Sequence, residues 1–93
     1  MDFTCGVGKG ACVPSLSPRH RALGEAIRRL READDLTQES LADRAEMSAN
    51  YVGDTERGER NISVRALWLL ADGLNVPAST LLLEAEKQSK KKR

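Results

Sequence analysis

From residue 17 to residue 85 the apolar residues recur three and four apart. That spacing gathers side chains on one face of a helix, whereas strands alternate every second residue. Ser17-Pro18 reads as an N-cap with a proline in the first turn, and Leu23, Ala26, Ile27 and Leu30 follow, which predicts helix 1 over about 18–33. Thr37 caps a second helix with Glu39 near its positive end and Leu41, Ala42 and Ala45 on one face, ending by about Arg44 or Ala45. Ser48 caps a third helix that Gly58 ends. Only Glu46-Met47 separates the two, the tight connection of a helix-turn-helix within residues 37–58. Asn61 to Ser63 turn the chain, and Ser63 caps a fourth helix whose inward face is Val64, Leu67, Leu70, Ala71 and Leu74. Pro77 opens a short fifth helix through Leu81, Leu82, Leu83 and Ala85. The expectation is an all-α, five-helix bundle over 17–86, without strands, repeats or a second domain. A disordered arm of residues 1–16, with three glycines and a proline, precedes it, and a basic tail of residues 87–93 frays from it.

With Val52 as the buried centre of helix 3 and about 100° per residue, Ser48, Thr55 and Glu56 fall on the buried side. Asn50, Gly53, Asp54 and Arg57 fall outside. An amide, an acid and a guanidinium beside a glycine form a surface able to read bases. Asn pairs with adenine, Arg with guanine or phosphate, and Asp with the cytosine amino group, while glycine permits close approach to the groove floor.

Charge qualifies this picture. The net charge is +1, and residues 19–86 hold nine Arg and no Lys against thirteen Asp and Glu, while five Lys and Arg close the chain over 87–93 without an acid. A net-acidic body binds DNA only through arginines gathered on one face, and a strong non-specific polycation is excluded. The basic tail serves equally well as an electrostatic tether or a solubilising end. No run approaches the ~20 apolar residues that span a bilayer, and the glycine-rich start lacks the apolar centre of a signal peptide, so a cytoplasmic protein without membrane partners is expected.

The segment TQESLADRAEMSANYVGDTERGERNISVRALWLLADGLNVPASTL, residues 37–81, resembles the lambda-repressor-like, Cro-type helix-turn-helix family, often called XRE. The likeness rests on linked positions: Thr37-Gln38, Ala42, Tyr51-Val52, Glu56-Arg57-Gly58, Asn61, Ser63, and Leu67, Leu70 and Ala71. It implies a compact lambda-repressor-like bundle and a sequence-specific transcriptional regulator of double-stranded DNA, with helix 3 (about 48–57) in the major groove of an inverted-repeat operator. Gln38 would contact a phosphate and brace helix 3. Ala49, Asn50, Gly53 and Asp54 match base-facing positions, and Arg57, Arg60 and Asn61 match positions near phosphates. Arg31 and Glu56 match an ion pair between helices 1 and 3. Two departures bear on structure: Glu46 replaces the usual turn glycine, which requires a left-handed residue or another turn, and Thr55 replaces a larger apolar residue. The stretch YVGDTERGERNISVRALWLLADGL looks most like the controller proteins of restriction–modification systems, which implies a small autoregulatory dimer.

Trp68, Leu69, Leu82 and Leu83 flank or extend the apolar faces of the last two helices and are assigned to a homodimer interface. Cys5 and Cys12 are read as free thiols, because a zinc site wants four ligands and the arm and its border offer these two and His20. His20, in the first turn of helix 1, is read as solvated. No catalytic set, cofactor site, metal site or small-molecule site is recognised, so an enzyme is not expected. The competing reading is a protein-interaction adaptor or antitoxin-like module that keeps the fold without the DNA contacts.

Overall fold

The structure, a computed structural model, describes residues 16–91. Residues 1–15 of the expected arm, with Cys5 and Cys12, lie outside them. Five helices follow in order: α1 (Pro18–Ala33), α2 (Gln38–Ala45), α3 (Ala49–Glu56), α4 (Val64–Leu74) and α5 (Ala78–Lys91). Among the described residues there is no strand.

The first four helices begin where a hydroxyl can take up a free amide. The side chains of Ser17, Thr37, Ser48 and Ser63 accept from the backbone N–H groups of His20, Ser40, Tyr51 and Ala66 at 3.0–3.2 Å. Each such cap stabilises its helix by about 1 kcal/mol. The same four helices end alike, on one left-handed residue: Asp35, Glu46, Gly58 and Asn75, with φ of 58°, 59°, 76° and 62°. The next residue's N–H then reaches back across the last turn, Leu36 to Arg31, Met47 to Ala42, Glu59 to Asp54 and Val76 to Ala71, at 2.9–3.0 Å. Leu36, Met47 and Val76 press onto the core as they do so. Glu46 thus takes the left-handed option, at a cost of about 1–2 kcal/mol that Asp and Asn bear more easily.

Each helix sends one large, fully buried side chain to the centre: Ile27, Leu41, Val52, Leu70 and Leu81. Ala42, Ala45, Ala71 and Leu74 complete this core, and Ala22, Ala26 and Ala85 form a smaller seam. The seam lies where α1 meets α5. Small residues let helices approach, most of all at Gly24, where an added Cβ would stand 2.4 Å from the carbonyl oxygens of both Thr55 and Glu56. Helix α1 therefore crosses the end of α3 in backbone contact.

Several expectations are corrected. Val64 does not face inward; it is 62% exposed, because it is the first residue of α4 and the chain arrives there over the surface. Leu69, assigned to the homodimer interface, packs half-buried against the core of its own chain. Ser48 is exposed, since a cap precedes the helix and the wheel does not apply to it. Helix α5 does not fray at Lys87 but runs to Lys91. Lys and Gln are good helix formers, and a basic sequence suits the negative end of a helix. Leu16, assigned to the arm, is tied down by its N–H, which donates to the Gly58 carbonyl at 2.9 Å.

Candidate nucleic-acid interface

Helices α2 and α3 meet through the Glu46-Met47 turn, and their relative orientation is fixed by one carboxylate. Glu56, 8% exposed, accepts from Arg31 Nε at 2.7 Å on Oε2 and from Arg31 Nη2 at 3.1 Å and Gln38 Nε2 at 2.9 Å on Oε1. Arg31 also donates from Nη1 to the Leu36 carbonyl at 2.8 Å. The hydrogen bonds that Arg31 donates to Glu56 raise the guanidinium's pKa, against burial, which lowers it; the Coulombic pull of Glu56 and Glu32 adds to the rise. The ion pair between α1 and α3 implied by the resemblance is present, and Gln38 joins α2 to it. Gln38 is half-buried, and its amide nitrogen is engaged inward, so bracing α3 is its visible role.

The outward face of α3 starts at Asn50, which is exposed. Ala49 beside it is half-buried and packs against the core. Gly53 is not exposed as expected. Gln38 Oε1 and Arg57 Nη1 each lie 3.4 Å from where its Cβ would be, so those two side chains close over the glycine from either side. Behind this face Thr55 is 3% exposed and donates to the Tyr51 carbonyl at 2.7 Å, so its hydroxyl is satisfied within the helix.

Asp54 is the centre of a charged cluster. One of its oxygens accepts from Arg57 Nη2 and the other from Arg60 Nη2, the latter at 3.0 Å. The Arg60 guanidinium also lies over the Tyr51 ring, 4.5 Å from its centroid, a contact that holds the side chain against α3. Asn61 stands next to this cluster and meets His20 from α1. Its Oδ1 lies 3.2 Å from His20 Nε2, while His20 Nδ1 lies 2.7 Å from Ser17 Oγ. With the proton on Nε2 both contacts are satisfied, the histidine donating to Asn61 and accepting from Ser17.

His20 is thus half-buried and bonded, not simply solvated, and it brings the start of α1 to the edge of the face. Sequence reasoning left His20, Tyr51 and Glu59 off this surface. For His20 no sequence signal existed, because Asn61, the partner that brings it to this face, is 41 residues away. Among the described residues no three His, Cys, Asp or Glu side chains converge as metal ligands. No single described helix is long and apolar enough to cross a membrane.

On the far side, Trp68 is 59% exposed, and Leu82 and Leu83 are 46% and 55% exposed. These three assigned interface residues stand in water in the single chain, and Leu69 does not join them fully.

Comparison with known proteins places this geometry. Control protein C.SmaI of Serratia marcescens is 38% identical over 60 residues, which cover 64% of this chain and 71% of that protein. Control protein C.MunI of a Mycoplasma species is 35% identical over 66 residues, 70% of this chain and 89% of that one. The crystal structure of the restriction-modification controller protein C.AhdI from Aeromonas hydrophila superposes with a TM-score of 0.69 at 35% identity, covering 70% of this chain and 98% of its own. The five-helix fold and the family expected from the sequence are the ones found. The helix-turn-helix family model matches residues 27–81, more than half of the sequence, and the chain belongs to that family.

Proposed function

We infer that the protein is a DNA-binding transcriptional regulator of the controller type, and that it binds an inverted-repeat operator as a homodimer with α3 in the major groove. The observation that carries this reading is the single carboxylate of Glu56, which locks α1, α2 and α3 together while Asn50, Arg57, Arg60 and Asn61 remain on the outside. A rigid short helix with an amide near its N-terminus and cations at its far end suits major-groove entry with phosphate clamping. Asn50 reads adenine, and Asp54 meets a base amino group once its arginines have moved to phosphates. Arg57, Arg60 and Asn61 position the helix without reading sequence. Gln38 contributes chiefly by holding Glu56. Trp68, Leu82 and Leu83 provide the apolar surface for the second copy, with Leu69 at its margin.

Two α3 helices related by a two-fold axis meet half-sites about 10–11 base pairs apart. Selection from random genomic fragments at low salt, followed by sequencing, tests the whole reading: inverted half-sites at that spacing are expected. Inserting about five base pairs between them turns one half-site to the far side of the duplex and should reduce binding toward the non-specific level. Selected sites without inverted symmetry would sink the dimer docking, and no enrichment at all would favour the protein-interaction module.

A further inference from the structure

The face that would meet DNA carries two arginines, and both are already occupied inside the protein. Arg57 donates to Asp54 through Nη2 and pairs with Glu59 through Nε at 3.2 Å; Arg60 donates to the other oxygen of Asp54 at 3.0 Å. Two guanidiniums and two carboxylates cancel locally. The side chains are substantially exposed, 57% for Arg57 and 44% for Arg60, so such pairs contribute little to folding. Their effect falls on binding instead, because phosphate neutralisation by Arg and Lys supplies the sequence-independent part of DNA affinity.

We propose that Asp54 is an internal phosphate mimic that holds Arg57 and Arg60 away from the DNA backbone until a base pair in the groove offers its carboxylate a hydrogen-bond donor. This rests on the DNA-binding reading above. On a wrong sequence, moving the arginines to phosphates would leave a bare carboxylate in the negative potential of the groove. On the right one, the amino group of cytosine or adenine takes the place of the arginines. Discrimination then comes from a penalty on wrong sites as well as a contact at the right one. Tyr51, under Arg60, keeps that guanidinium within reach of both positions. Residues 19–86 are net acidic, so few other cations compensate while Asp54 holds these two, and weak non-specific binding is the expectation.

The test is a titration of a random-sequence duplex and a selected operator over about 50–200 mM salt, with wild type, Asp54→Asn, Arg57→Ala/Arg60→Ala and the triple variant, each checked for helical content. Two released ion pairs predict that D54N binds the random duplex roughly 2- to 30-fold tighter. The slope of log K against log salt should steepen by up to ~1.8, about 0.9 for each phosphate gained. The operator-to-random ratio narrows, and Asp54→Ala shows the same gain. Without both arginines, the Asp54 substitution should change random-duplex binding less than about twofold. Unchanged random-duplex affinity and slope in D54N and D54A overturn the proposal. So does a gain of equal size in the absence of both arginines, which would be charge acting through space. Wild-type protein that binds no duplex even at low salt overturns the DNA-binding reading and this proposal with it, an outcome distinct from binding that is indifferent to Asp54.

Discussion

Replacing Gly24 by Ala sets two effects of opposite sign against each other. Gly24 lies inside α1, where Ala is the better helix former by about 0.8–1.0 kcal/mol, so on an exposed face the substitution would stabilise the protein. Here the new Cβ would stand 2.4 Å from the carbonyl oxygens of Thr55 and Glu56 and 2.7 Å from the Glu56 carbonyl carbon. Since Cβ atoms do not approach other heavy atoms within 3.0 Å, α1 and the end of α3 must part by about 0.6 Å or more. The neighbours are backbone, so no rotamer change relieves the clash. Overpacking of this kind costs about 1–3 kcal/mol, and the upper end applies because the helix cannot yield locally. A net loss of about 1–2 kcal/mol is expected, equivalent to roughly 4–16 °C in Tm for a domain of this size. Thermal and urea unfolding followed by circular dichroism measure it. A G24A protein as stable as wild type, or more so, would show that α1 and α3 do not touch as described.

Glu56→Ala leaves Arg31, whose side chain is 11% exposed, without its partner. The expected loss is about 3–5 kcal/mol, enough to unfold much of the population, whereas Arg31→Met with Glu56→Leu should recover most of it; urea midpoints decide. The raised pKa of Arg31 contributes stability below its unfolded pKa that is lost only as pH rises through the folded value, in the strongly alkaline range, so this contribution should be flat across neutral pH. Asn50→Ala should lower discrimination at particular base pairs by about 1–3 kcal/mol with random-duplex binding intact, as competition binding would show. Leu82→Glu with Leu83→Glu should give a folded monomer, because both side chains are already exposed in the single chain; sedimentation showing a wild-type monomer at micromolar concentration would refute the interface.

The helix starts were legible because capping is local: a Ser or Thr hydroxyl and an amide three residues on are written next to each other. The core was legible for the same reason, with Ile27, Leu41, Leu70 and Leu81 standing in periodic runs. What escaped depends on distant partners. Nothing local to helix 1 marks Gly24 as the place where α3 crosses it, and Gly53 looked open until Gln38 and Arg57 folded over it. Asp54 was read as a free acid on a helix face. Its engagement by Arg60, six residues away and beyond the helix end, follows from the path of the loop. Leu69 shows the limit of a helical wheel, which knows one helix and not the neighbour that covers its side.

The four helix endings differ in one respect. After α1, α2 and α4 the residue that follows the left-handed position is Leu36, Met47 or Val76, each anchored in the core; after α3 it is Glu59, which meets Arg57. Three corners of the fold are therefore nailed to the interior, and the corner that leads from α3 is written in polar residues that the core does not need. A lineage can exchange Asn50, Asp54, Arg57, Glu59 and Arg60 around the fixed, left-handed Gly58 without disturbing the frame that presents them. Operator preference and foldability are then inherited on separate sets of positions, and a new target sequence is reachable through few substitutions from a scaffold that stays the same.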